Sequence, residues 1–97
     1  MILEWNQAKN RSNIRKHGFD FADAEEMFRG LLIADPDTRE DYGEQRWVGI
    51  GSIRGRIAHV VFTKPSQETV RIISLRKATS RERKQYEKEI QNRLEAG

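Results

Sequence analysis

Seven cationic side chains stand out by type and position: Arg46 in an apolar run, Arg71 and Arg76 in a later one, and Lys77, Arg81, Arg83 and Lys84 just behind them. Guanidinium groups form bidentate bonds to phosphate oxygens, so a cluster of them suits a polyanion. It also suits the extra charge of a pentacoordinate phosphorus transition state. If the anion is RNA, cleavage does not strictly need a metal. The ribose 2′-hydroxyl attacks its neighbouring phosphate once deprotonated, and the leaving oxygen must gain a proton. Proton transfer calls for a histidine, lysine or carboxylate, and Lys16, His17 and Glu44 are the candidates. Tyr42 and Trp47 offer faces on which bases stack, although an aromatic in a strand such as Trp47 more often belongs to a core.

Each feature has a plainer reading. Basic groups at the start of a helix oppose its dipole, so Arg81, Arg83 and Lys84 need compensation. A bound phosphate supplies it, and so do Glu82 and Glu87 on a solvated face. Side chains alternate along a strand, so Arg71 and Arg76 cannot leave a regular strand on the same face. The two histidines, His17 and His59, are far apart with no ligand-spaced carboxylates, so no metal or other cofactor is expected. Gly49-Ile50-Gly51 lies in a strand pattern and reads as a close-packed or bulged strand, not a phosphate loop. With no cysteine in the chain, disulfides and thiol chemistry are excluded.

The elements that must position these groups follow from periodicity. A first helix is expected over Asn6 to His17, with Ala8 and Ile14 on a weak apolar stripe and Gly18 as its stop. Asp20 caps a second, Phe21 to Arg29, with Ala24, Met27 and Phe28 inward. Leu31 to Ala34 reads as a strand stopped by Asp35-Pro36-Asp37, and Thr38 to Glu44 as a loop. Three more strands are expected over Gln45 to Ile53, Ile57 to Thr63 and Thr69 to Arg76, the first pair joined at Arg54-Gly55. Thr79-Ser80-Arg81-Glu82 fits a capping box opening a helix from Ser80 to about Leu94. Its apolar stripe, Tyr86, Ile90 and Leu94, is thin, so the helix is expected to dock weakly on its own domain and to be either mobile or completed by a partner. Short turns imply an antiparallel meander with helices on one face: an α+β domain of two N-terminal helices, a four-stranded antiparallel sheet and a C-terminal helix.

Composition bounds the class. A chain of 97 residues suits one domain over residues 1–97. No run approaches the roughly 20 apolar residues of a membrane span, and the N-terminus lacks the pattern of a signal peptide. With no cysteine to staple a small secreted fold, a cytoplasmic location is expected. The charge is uneven: 7 Lys/Arg against 10 Asp/Glu in residues 1–50, but 11 against 5 in residues 51–97. That asymmetry suits one face for a polyanion and another for a different partner.

Trp5-Asn6, Asn13 to Gly18 and Arg71 to Ala78, in that order along the chain, resemble motifs of the BrnT toxin family. Trp5-Asn6-Gln7-Ala8-Lys9 followed by Asn13-Ile14-Arg15-Lys16-His17-Gly18 is similar to its opening. Gly43-Glu44-Gln45-Arg46, Ile50-Gly51, Arg71-Ile72-Ile73-Ser74-Leu75-Arg76-Lys77-Ala78 and Arg81-Glu82-Arg83 with Tyr86-Glu87 follow in the family's order. Leu75 stands where the family usually has Ala. The resemblance implies a RelE-like fold and a ribonuclease toxin of a type II toxin–antitoxin pair that inhibits translation. It also implies a BrnA-like ribbon-helix-helix antitoxin in a 2:2 heterotetramer, which alone touches operator DNA. Carried over by position, it puts phosphate binding and transition-state stabilisation on Arg46, Arg71, Arg76 and Arg83. Two other readings stay open on the residues themselves: a non-catalytic RNA- or antitoxin-binding module, and a structural heterodimer partner.

Overall fold

A strand at the very start, Ile2–Trp5 (β1), lies in parallel beside the last strand, pairing Ile2 with Thr69 and Trp5 with Ile72. The computed structural model, which describes residues 1–96, continues with α1 (Gln7–His17), a short 3₁₀ turn (Phe21–Asp23) and α2 (Ala24–Arg29). Strands β2 (Ile33–Asp37), β3 (Arg46–Ile53), β4 (Arg56–Thr63) and β5 (Thr69–Lys77) follow, and α3 (Ser80–Ala96) closes the order. The sheet therefore has five strands in the order β1-β5-β4-β3-β2 and is mixed. This corrects the expected four-stranded antiparallel meander. Four residues with no turn before them carry no local strand signal, and β1 exists only through pairing with residues nearly seventy positions away.

Strand β2 also runs later than expected, through Pro36 to Asp37. It is an edge strand, where the missing proline N–H costs no ladder bond. The β3–β4 hairpin turns at Arg54 and Gly55, with φ of 48° and 79°. Left-handed conformations at both central residues suit the twist of the strands, and Gly55 takes its own without a Cβ penalty. Arg54 is held there by its amide donating to Glu26 Oε2 (2.8 Å) and its guanidinium to Asp23.

One face of the sheet carries Ile53, Ala58, Val60, Phe62, Val70, Ile72 and Leu75, packed with Phe19, Phe21, Ala24 and Met27. Gly49 and Gly51 point the same way. A Cβ on Gly49 would meet Leu32 Cδ1 at 3.0 Å, and one on Gly51 would meet Met27 Cβ at 3.2 Å. The glycines thus let α2 and the chain after it approach the strand, the close-packed alternative for this pair.

Helix α1 does not dock through Ala8 and Ile14, which are exposed. Its buried residues are Asn10 and Asn13. Asn13 donates Nδ2 to the Leu75 carbonyl (2.7 Å) and accepts from the Leu75 amide (3.2 Å), so its amide group stands in for a strand neighbour. Asn10 accepts from the Phe21 amide (2.8 Å) and donates to Asp20 (3.0 Å). Buried amides satisfied at both ends replace an apolar stripe. Helix α3 lies on the opposite face from α2, against Ile50 and His59, so the helices are not confined to one face.

Candidate functional site

The sheet face away from the α2 core is where the arginines meet. In β3, Gly49, Gly51 and Ile53 face the core, so Arg46, Val48 and Ile50 face the other way. In β4, His59, Val61 and Thr63 do the same. Strand β5 reaches this face through an irregularity. Val61 pairs with Ser74 but Phe62 with Ile72, leaving Ile73 as an extra residue. This bulge reverses the alternation. Val70 and Ile72 before it and Leu75 after it all face the core, so Arg71 and Arg76 emerge together on the opposite face. The alternation argument that separated them fails at that one residue.

Cross-strand pairing turns these positions into two rows. Arg46 pairs with Thr63 and Thr63 with Arg71, which lies beside Glu4 of β1. Ile50 pairs with His59 and His59 with Arg76. The rows are about 13 Å apart along the strands, four residues of rise.

Each arginine is held differently. Arg46 lies over the Tyr42 ring at 4.2 Å, with Glu44 3.8 Å from its Nε. Tyr42 donates its hydroxyl to Asp37 (3.3 Å), whose carboxylate also receives a two-pronged bond from Arg39 at 2.9 Å. The Arg39 guanidinium holds the Asp37 carboxyl well below the usual range despite its desolvation. Asp37 thus anchors the loop that supports Arg46. Arg71 pairs with Glu4 at 2.7 Å in an exposed ion pair, a contact that exchanges readily. Arg76 makes a bidentate pair with Glu82, at 2.8 and 3.0 Å. Glu82 also accepts from the Thr79 amide (2.9 Å) while Thr79 Oγ1 accepts from the Glu82 amide (3.1 Å), which is the expected capping box. The Arg76 bond, with help from the Thr79 amide, pushes the Glu82 pKa down to about 2 against the cost of burial.

His59 sits beside this pair, its Nε2 3.8 Å from Glu82 and its side chain 12% exposed. Burial lowers its pKa, and the Arg76 charge lowers it further against the pull of Glu82. The imidazole is therefore neutral at pH 7. It lines a small pocket of about 130 Å³ with Ile33, Val48, Ile50, Gln85 and two carboxylates, Asp35 and Glu82. Among the described residues, three buried side-chain polar atoms lack a hydrogen-bond partner: Arg46 Nε, Thr63 Oγ1 and His59 Nδ1. All three belong to these two rows.

A family model described as "Ribonuclease toxin, BrnT, of type II toxin-antitoxin system" matches residues 5–82. The chain belongs to the BrnT family of ribonuclease toxins. Among solved structures it is similar to the ribonuclease toxin BrnT of Brucella abortus, with 30% identity and a TM-score of 0.61 over 82% of this chain and 100% of that one. No curated protein matches in sequence. The BrnT match ends at Glu82, so most of α3 lies beyond it.

The fold brings some of the expected residues of a BrnT site together and leaves others apart. Arg46, Arg71, Arg76 and Glu44 share the open face or its rim. Lys16 and His17 are exposed in the last turn of α1, and neither makes a side-chain hydrogen bond or ion pair among the described residues. The Asn-x-x-Lys-His-Gly segment owes its place in the fold to Asn13. Lys77 and Arg83 line a separate pocket at the hairpin end of the sheet, while Arg81 and Lys84 are exposed on α3. Tyr86 corrects the expected docking stripe. It is 4% exposed and donates its hydroxyl to the Leu31 carbonyl (2.9 Å), which commits it to the domain. Ile90 is half-buried, and Leu94 is 72% exposed. Sequence reasoning passed over His59 and Thr63. Their period-two spacing with Val61, opposite Ala58, Val60 and Phe62, is the signal that places them on the arginine face. Among the described residues, no helix is long and apolar enough to cross a membrane.

Proposed function

We propose that this BrnT-family chain is a metal-independent endoribonuclease that cuts RNA by in-line attack of a 2′-hydroxyl on the adjacent phosphate and so inhibits translation. The observation that supports it best is the trio of unpaired buried atoms, Arg46 Nε, Thr63 Oγ1 and His59 Nδ1, on the sheet face that carries three arginines, open at Arg46 and Arg71 and covered by α3 at His59 and Arg76. Buried polar groups ordinarily have partners. Hydrogen-bonding capacity left unspent beside cations suits an oxyanion.

In this reading Arg46 and Arg71 take the phosphate. Arg46 has only a distant carboxylate, and the Arg71–Glu4 pair is exposed enough to yield. From the second row, about 13 Å away, Arg76 adds positive charge only at long range, while its bond to Glu82 fixes the start of α3. Of the proton-transfer candidates, Glu44 is beside Arg46, whereas Lys16 and His17 require the substrate to extend to α1. His59 joins them as a neutral imidazole on the arginine face. The 2′-oxygen bonds to phosphorus as the 5′-oxygen leaves and is protonated, giving a cyclic phosphate and a free 5′-hydroxyl. The partner is a BrnA-like ribbon-helix-helix antitoxin, which meets the distal half of α3 at Ile90 and Leu94. It dimerises to give the 2:2 heterotetramer and carries the contact to operator DNA.

The test is expression without antitoxin. Wild type is expected to arrest growth and to cut RNA in the presence of chelator. Arg46→Ala, which removes a side chain that stacks on Tyr42 and faces Glu44 at 3.8 Å, is expected to fold and to lose about 3 kcal/mol of transition-state stabilisation, roughly a hundredfold in rate. A folded Arg46→Ala protein of undiminished toxicity overturns the assignment.

A further inference from the structure

Three cationic side chains from three elements converge at the hairpin end of the sheet, away from the two rows. Arg56 opens β4, Lys77 ends β5 and Arg83 lies in α3, and with Gly55, Ile57 and Ala78 they line a pocket of about 260 Å³. No carboxylate lines it. The neighbouring cations are spent: Arg54 on Asp23, Arg76 on Glu82. These three are not. Arg56 and Lys77 make no ion pair among the described residues, and Arg83 reaches Glu87 only at 3.7 Å. Arg56 is held in place by the Phe19 ring, its guanidinium carbon 4.6 Å from the centroid. A cation–π contact fixes the group without neutralising it. Three like charges placed together are costly unless an anion joins them.

We propose that Arg56, Lys77 and Arg83 form a second phosphate subsite that holds the RNA backbone outside the cleavage site. This rests on the ribonuclease reading above and adds a binding path to it. Lys77 directly follows Arg76 in β5, and six residues of strand separate Arg71 from Lys77, about 20 Å. Lys77 follows Arg76 and so leaves β5 on the core side, as Arg56 leaves β4 over Phe19, while α3 covers the other face at Arg76. An RNA strand held at Arg71 therefore reaches this pocket around the end of the sheet, not across the open face. The pocket fixes register along the strand. It reads no base, because phosphate contacts carry no sequence information.

The test uses the full chain and a single RNA strand whose 2′-hydroxyls are methylated, so that binding is measured without cleavage. Arg56→Gln is expected to weaken Kd about tenfold, the loss of one charged hydrogen bond. It is also expected to lower the slope of log K against log salt by about 0.7. Lys77→Gln, an exposed residue that holds nothing in the core, is expected to do the same should Arg56→Gln disturb Phe19. Arg93→Gln removes an exposed α3 cation and is expected to change neither beyond its general charge effect. If wild type cuts and binds RNA while Arg56→Gln and Lys77→Gln keep its slope, the subsite is wrong and the ribonuclease reading stands. If wild type neither binds nor cuts, both fall. If the variants bind RNA normally but lose antitoxin, the pocket is a protein interface and the proposal is overturned.

Discussion

The chemistry of single residues here is set by what lies beside them. His59 and His17 have the same side chain and opposite surroundings, one buried next to Arg76 and one exposed at a helix end. For His59 the sign of the pH effect follows directly. Its folded pKa lies below its unfolded value near 6.5. Between the two, the unfolded chain binds more protons, so folding stability rises with pH. Facing the ring are Arg76 and Glu82, with Arg39 and Asp37 farther off. Glu82, with its pKa held near 2, does not titrate in that window. Thermal melts of wild type are expected to reach full stability above about pH 6.5 and to decline as pH falls below it. The decline levels off below the folded pKa. His59→Gln is expected to flatten that slope, and an NMR titration showing the ring at or above its ordinary pKa would refute the assignment. Glu82 contributes at lower pH: its stabilisation is complete above the ordinary carboxylate range and is lost as pH falls toward 2.

At the scale of elements, polar groups do work usually given to apolar ones. Helix α1 has no apolar face inward and is fixed by Asn10 and Asn13. Asn13 satisfies both the amide and the carbonyl of Leu75. It also donates to the Phe19 carbonyl, so replacing it with Ala takes a partner from three buried backbone groups, at about 1–3 kcal/mol for each left unpaired. Asn13→Ala is expected to lower the urea midpoint by the equivalent of about 3 kcal/mol with little change in slope, read by denaturant titration. Ile14→Ala, an exposed position on the same helix, serves as comparison and is expected to change little. The β5 bulge is the other decisive local feature. One extra residue at Ile73 carries both arginines to the same face.

For the whole molecule, the two faces of the sheet divide the labour. One carries the core and α2. The other is open where Arg46 and Arg71 lie and is covered by the start of α3 at Arg76 and His59. Helix α3 is anchored at Tyr86 and loses contact with the domain toward Leu94. Local stability follows buried contact. In the free chain, backbone amides beyond Ile90 are expected to exchange faster than those near Tyr86, and to become protected when the antitoxin binds. Equal exchange with and without antitoxin would place that partner elsewhere. Leu94→Ser is expected to weaken antitoxin binding while leaving the melting temperature within a degree or so, since an exposed side chain contributes little.

The sequence alone carried what depends on neighbours a few residues away: the helix starts and stops, the Arg54-Gly55 turn, the Thr79–Glu82 capping box and the succession from β3 to α3. It also carried the family, because motif order is a property of the chain. It could not carry β1, which exists only by pairing across the chain, nor the face of α3, nor the bulge that brings Arg71 and Arg76 together. Those depend on which distant segments meet, and pairing energy between distant strands leaves no local pattern. The same reason hid His59 and Thr63. A histidine can move protons and the period-two spacing assigns both residues to one strand face, but only the register across β3, β4 and β5 puts that face among the arginines.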